Sequence, residues 1–135
     1  MILSIDFDTQ EPIYRQIRSQ IVSAVASGEL APGDPLPSVR SLAGDLGVNM
    51  HTVNKAYAML RDEGYVTMRG RSGAYVADVK RSASTARAQE HREQIATELA
   101  RLATELKARG GTREEFLAIA TAQADHVFSQ NKEGE

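Results

Sequence analysis

Two helical runs hinged on one glycine, followed at once by two β-prone runs hinged on others, constrain this chain more than anything else in it. Between residues 38 and 64, Val39, Leu42, Ala43 and Leu46 recur at helical spacing before Gly47, and Val53, Ala56, Tyr57 and Leu60 recur likewise after Asn49. Ser38 and Asn49 each stand where a side-chain oxygen can accept a free backbone N–H of the coming turn. Gly64 closes the second run. YVTM and AYVA then flank RGRSG, which reads as a β-hairpin with a glycine-containing loop.

Upstream, Leu3, Ile5 and Phe7 alternate with Ser4, Asp6 and Asp8, which predicts a short half-buried strand. Pro12 suits the first turn of a helix, where its missing N–H has no helical partner. Ile13, Ile17, Ile21 and Val25, with Tyr14 and Val22 beside them, form one apolar stripe that ends at Gly28. LAPGDPLPS carries three prolines and a glycine and reads as an ordered loop. The expected order is strand, helix, helix, turn, helix, hairpin. That is a mainly α fold with a small β-hairpin, laid out as a winged helix-turn-helix.

The texture changes near Lys80. KRSASTARAQ has no large apolar residue and reads as a linker passing into a helix. Ile95, Leu99, Leu102 and Leu106 then recur at steps of four, three and four, an a/d seam over roughly two heptads. Gly110 and Gly111 break that helix. Thr112 with Glu115 predicts a capping box for a last helix whose apolar face is Phe116, Ile119, Ala120, Val127 and Phe128. The tail SQNKEGE is polar. The division expected is 1–79 for a DNA-binding domain and 80–135 for a helical dimerisation segment.

Composition removes several classes of function. The chain has 135 residues, 41% of them apolar, enough for a packed core. Aromatics make up 5%, so that core is expected to be mostly aliphatic. The absence of cysteine excludes disulfides and thiolate metal sites and is compatible with a reducing, cytoplasmic setting. No stretch is long and apolar enough to span a membrane, and the acidic start with Asp6, Asp8 and Glu11 does not read as a signal peptide. RGRSG lacks the lysine of a phosphate-binding loop, and no Ser, His and Asp set or paired carboxylates suggest catalysis. No enzyme activity, cofactor or metal is expected; His91 and His126 read as ordinary helix-surface or interface residues.

Net charge is −2, which argues weakly against nucleic acid, but the charge is unevenly placed. Between Ser38 and Gly73, Arg40, Lys55, Arg61, Arg69 and Arg71 outnumber Asp45, Asp62 and Glu63 by five to three, a balance of +2. In a winged helix-turn-helix the second helix of the pair enters the major groove, and its first turn presents short polar or basic side chains. Here that turn holds Asn49, Met50, His51 and Thr52, then Asn54 and Lys55. Asparagine can bond an adenine edge and lysine a phosphate. Arg40 can reach DNA from the supporting helix, and Arg69 and Arg71, flanking Gly70 on the hairpin, suit a phosphate track or a minor groove. Each feature alone has a plainer explanation in helix capping or surface solvation; the ordered combination favours double-stranded DNA. The rival class is a winged-helix protein-interaction module that binds no DNA.

The stretch LPSVRSLAGDLGVNMHTVNKAYAMLRDEGYVTMRGRSGAYVAD, preceded by PIYRQIRSQIVSAVASGELAPGDPLPS, resembles the DNA-binding domain of the GntR family of bacterial regulators. The likeness covers roughly residues 10 to 78, and NMHTVNKAY with PIYRQI resembles the YtrA-type branch. It implies a transcription regulator, usually a repressor, with DNA contacts at Ser38, Arg40, Asn49, His51, Thr52, Asn54, Lys55, Arg69, Gly70 and Arg71. It further implies a two-helix C-terminal segment that makes a homodimer, here through Ile95, Leu99, Leu102, Leu106, Phe116 and Phe128, acting on an inverted-repeat operator. The sequence leaves open whether a small-molecule effector exists. Met50 departs from the pattern: it stands where many relatives have arginine, so a guanine contact there is replaced by apolar contact with a thymine methyl.

Overall fold

The computed structural model describes residues 2–78 and 86–129. The chain divides into two units, Met1–Val79 and Lys80–Glu135. The 79/80 boundary, most of the expected linker and most of the polar tail lie outside the described residues.

The first unit runs α1 (Ile13–Ser27), α2 (Val39–Leu46), α3 (Met50–Glu63), β1 (Val66–Met68), a 3-10 turn at Gly70–Ser72 and β2 (Ala74–Val76). Two of these helices begin on a capping side chain, and all three end on a glycine. Pro12 precedes α1, Ser38 caps α2 and Asn49 caps α3, while Gly28, Gly47 and Gly64 close the three helices in the left-handed conformation. Gly47 is the tight turn of the pair. Its φ of 69° lets the Val48 N–H reach back to the Ala43 carbonyl at 3.0 Å, reversing the chain within two residues.

One aliphatic core holds the unit together. Ile17 and Ile21 of α1 and Val53 and Leu60 of α3 are fully buried where α1 packs on α3, and Leu42, Ala43, Val66 and Val76 close the sides. Tyr57 is the one aromatic among the buried core residues. Each fully buried aliphatic side chain contributes roughly 1.5–3 kcal/mol relative to exposure.

The hairpin is antiparallel, with Val66 opposite Val76, Thr67 opposite Tyr75 and Met68 opposite Ala74. Two strands of three residues are marginal alone, and the proline-rich loop supplies the missing support. The Val76 N–H donates to the Asp34 carbonyl at 2.8 Å, the Gly33 N–H to the Val76 carbonyl at 2.8 Å and the Leu36 N–H to the Ala74 carbonyl at 2.9 Å. Pro35 bridges Tyr75 on the outer edge of β2, a place a proline can occupy without breaking a ladder. The loop thus serves as an irregular third strand.

The expected strand at Leu3–Phe7 does not form. Leu3 and Ile5 are half-buried against the core as the alternation predicts, but Phe7 is 63% exposed. Helix α1 takes the place of a partner strand. The Ser4 N–H donates to Gln20 Oε1 at 2.9 Å, and Gln20 Nε2 donates back to the Ser4 carbonyl at 2.6 Å. Gln16 does the same for Asp6, with both distances 2.9 Å. Residues two apart on an extended chain repeat at about the same distance as residues four apart on a helix. Two carboxamides can therefore copy one edge of a β-ladder.

The second unit consists of α4 (Ala86–Ala108) and α5 (Arg113–Ser129), which pack on one another. Gly110, at φ 91°, and Gly111 make the corner; Gly111 donates to the Leu106 carbonyl at 2.9 Å, and a Cβ on Gly111 would lie 2.4 Å from Leu106 Cγ. Thr112 Oγ1 accepts the Glu115 N–H at 3.1 Å, the forward half of the expected capping box. Along α4, Arg101 bridges Glu98 and Glu105 on the solvent side. None of the described residues of this unit is buried. Among the described residues, no helix is long and apolar enough to cross a membrane.

Candidate nucleic-acid interface

Helix α3 divides its residues cleanly between two faces. Val53, Ala56, Tyr57 and Leu60 are buried, whereas Asn49, Met50, His51, Asn54 and Lys55 are exposed and Thr52 is half-buried. Neither α2 nor α3 has an acidic residue in its first turn. The acids of α3 are confined to its last turn. There Asp62 meets Arg61, and Glu63 meets Arg18, whose Nε donates to Oε1 at 2.9 Å while Nη2 binds the other oxygen. The positive end of the α3 dipole and the Lys55 charge therefore act at the start of the helix without a nearby compensating carboxylate on it.

The two capping side chains are partly committed. Asn49 Oδ1 accepts the His51 N–H at 2.7 Å, and Ser38 Oγ accepts the Ser41 N–H at 3.0 Å. Asn49 is thus engaged in holding the helix start, which narrows the expected base contact to its Nδ2 donor and a second lone pair on Oδ1. Asn54, one turn on, is exposed, and among the described residues nothing engages its carboxamide. The Ser38 hydroxyl keeps its proton for an external acceptor.

Tyr57 ties the two helices of the pair together. Its hydroxyl donates to the Pro37 carbonyl at 2.7 Å, one residue before the α2 cap. Burial of the phenol pushes its pKa well above the ordinary value of 10.0. Arg40, two residues inside α2, is exposed.

On the hairpin, Gly70 opens the 3-10 turn at φ 55°, and Arg69 and Arg71 are both exposed. The Arg69 N–H donates to the Gly73 carbonyl at 2.9 Å, and its guanidinium lies 4.6 Å from the centre of the Tyr75 ring. That is a cation–π contact that leaves the edges of the guanidinium for hydrogen bonding.

A second contact of this kind joins α1 to α3, and the spacing of the sequence gave no sign of it. Lys55 Nζ sits 4.1 Å from the centre of the Tyr14 ring. Arg15 Nε donates to the Tyr14 hydroxyl at 3.4 Å. The Arg15 hydrogen bond first, and then the charges of Lys55 and Arg15, hold the Tyr14 phenol below its ordinary pKa. Tyr14 was legible as part of the α1 stripe, but its approach to Lys55 depends on how α1 lies across α3.

In the second unit, Ile95, Leu99 and Leu102 are 42–48% exposed and Phe128 is 71% exposed. Leu106 and Phe116 are half-buried. Leu106 closes over the Gly110–Gly111 corner of its own chain, so part of its surface is already used. Leu117, which the expected face omitted, is exposed together with Ile119 and Val127, so the apolar surface of α5 is wider than one stripe.

The family model for bacterial regulatory proteins of the gntR family matches residues 13–76. The HTH-type transcriptional repressor YtrA of Bacillus subtilis is 44% identical over 78 residues, 57% of this chain and 59% of the repressor. The chain thus spans less than two thirds of the length of that relative. YtrA of Sulfolobus acidocaldarius, a GntR-family transcription factor of known structure, is 45% identical; the match covers 74% of this chain and 99% of that one, with a TM-score of 0.58. A transcriptional antiterminator from Listeria monocytogenes is similar over 95% of this chain and 93% of its own, with 26% identity and a TM-score of 0.81. The DNA-binding domain of AraR, in complex with operator ORX1, is similar over 57% of this chain and 96% of its own, with 26% identity and a TM-score of 0.51.

Proposed function

Because this chain belongs to the gntR family of bacterial regulatory proteins, we propose that it is a sequence-specific DNA-binding transcription regulator, acting as a homodimer on an inverted-repeat operator. The observation that carries the reading is the division of α3 into a buried apolar face and an exposed polar start free of acids. AraR supplies the parallel of a similar domain bound to operator DNA.

In this reading α3 enters the major groove. Asn54, His51 and Thr52 read base edges, Asn49 holds the helix start and reads with its remaining donor, and Met50 packs against a thymine methyl. Lys55, Ser38 and Arg40 take backbone phosphates, and Arg69, Gly70 and Arg71 track the backbone beside the groove. Residues 1–79 form the DNA-binding domain and 80–135 the dimerisation segment. The exposed seam of Ile95, Leu99 and Leu102, with Leu106, Phe116 and Phe128, is too apolar to leave in water and is covered by the same surface of a second copy. A two-fold axis through that interface presents two recognition helices to an inverted repeat. Occupancy of the operator represses the adjoining promoter, no catalysis is involved, and the protein works in the cytoplasm.

Selection of bound sequences from random DNA by the purified protein tests this directly. Enrichment of an inverted repeat with half-sites about one helical turn apart, and affinity that falls steeply with salt, is the expected result. Failure to enrich any DNA sinks the reading in favour of a protein-docking winged helix.

A further inference from the structure

We propose that Tyr14 is a positioning residue for DNA binding: its ring fixes the Lys55 ammonium on the exposed side of α3, poised for a backbone phosphate before DNA arrives. The inference rests on the regulator reading above. Its basis is the 4.1 Å separation between Lys55 Nζ and the Tyr14 ring centre. Lysine has a long flexible stem, and an exposed lysine samples many rotamers that binding must suppress. Tyr14 does not depend on Lys55 for its own place. It is half-buried in the second position of α1, packed against the core, and α1 docks on α3 through the fully buried Ile17, Ile21, Val53 and Leu60. The ring is therefore a rigid platform and the lysine the mobile partner. Arg15 adds to this by donating to the phenol oxygen at 3.4 Å from the neighbouring position. Two cations thus gather on one aromatic ring at the junction of α1 and α3, and among the described residues no carboxylate pairs with Lys55. An exposed cation–π contact adds little to folding; its consequence is to restrict where the charge sits.

Two measurements on the full chain test this, using Tyr14→Phe, Tyr14→Leu, Lys55→Gln and the Tyr14→Leu/Lys55→Gln pair. In the free protein, NMR should find the Lys55 ε-methylene shifted upfield by the ring in wild type and in Tyr14→Phe, and unshifted in Tyr14→Leu. With the selected operator, Lys55→Gln should lower the slope of log affinity against log salt by about 0.9 per subunit, one phosphate contact. Tyr14→Leu should weaken binding about three-fold per subunit in the wild-type background, do nothing further beside Lys55→Gln, and be rescued by phenylalanine. Equal losses from Tyr14→Leu in both backgrounds, or no upfield shift in wild type, overturn the inference. A wild-type protein that binds no DNA overturns the regulator reading and this inference with it, whereas DNA binding with additive losses overturns this inference alone.

Discussion

Tyr57 is 2% exposed, and its hydroxyl donates a hydrogen bond to the Pro37 carbonyl. Its pKa is raised above 10.0, so the folded state disfavours the phenolate. The stability this group contributes is fully present below pH 10 and is lost as pH rises beyond it. Denaturant unfolding between pH 8 and pH 11 should show that decline, and Tyr57→Phe should flatten it while costing about 1 kcal/mol at neutral pH through the lost hydrogen bond. Gly47 poses a different single-residue constraint. At φ 69° an alanine is strained although space is open around it, and Gly47→Ala should lower stability by about 1 kcal/mol, read from the unfolding midpoint. At the surface, Arg40→Ala and Arg71→Ala should each weaken operator binding several-fold and leave the thermal midpoint unchanged. Unchanged affinity would remove those arginines from the interface. The caps at Ser38 and Asn49 and the buried set of α3 were legible in the sequence because capping and helical spacing are local properties. What the cap leaves of Asn49 for a base was not, since the same residue was read both as the cap and as a base reader, and the structure engages its Oδ1 with the His51 N–H.

At the scale of elements, the N-terminal segment is where periodicity and structure part company. Alternation at Leu3, Ile5 and Phe7 records an extended chain with one side on the core, and for Leu3 and Ile5 that is what forms. Alternation says nothing about what pairs with the backbone, and here the partners are Gln16 and Gln20. Gln16 is 7% exposed and binds the Asp6 N–H and carbonyl together with the Glu11 carbonyl at 3.0 Å. Gln16→Leu would leave those groups unpaired, and it should cost roughly 1–3 kcal/mol in chemical denaturation and speed amide exchange at Asp6. Gln16→Glu, which keeps the shape but sets a second acceptor oxygen against the Asp6 and Glu11 carbonyls in a buried site, should cost at least as much. On α4, the four-three-four spacing of Ile95, Leu99, Leu102 and Leu106 predicted a seam, and the helix exposes its first three members. Leu99→Glu with Leu102→Glu should give monomers by sedimentation and much weaker operator binding; dimers that persist would rule this seam out as the interface.

For the molecule as a whole, charge placement matters more than charge total. A net charge of −2 coexists with an α3 whose acids gather in its last turn and pair with Arg18 and Arg61. Operator affinity should therefore fall steeply with salt despite the acidic chain, as each phosphate contact releases condensed counterions. The helices of the first unit, the turn at Gly47, the hairpin and the polar start of α3 could all be read from the amino-acid sequence. Each follows from spacing, capping and glycine punctuation, which act over a few residues. Tertiary structure alone decided which groups meet across long separations. It set glutamine carboxamides where a strand partner was expected, laid the Gly33–Leu36 loop along β2, bonded Tyr57 to Pro37, and brought Tyr14 beneath Lys55. Such pairings depend on how α1 crosses α3 and how the loop returns to the hairpin. Those are set by close packing of the core as a whole, and no local window of residues contains them. Two helices hinged on a glycine were thus readable at once, whereas the ring that holds the Lys55 ammonium is brought to it only by folding.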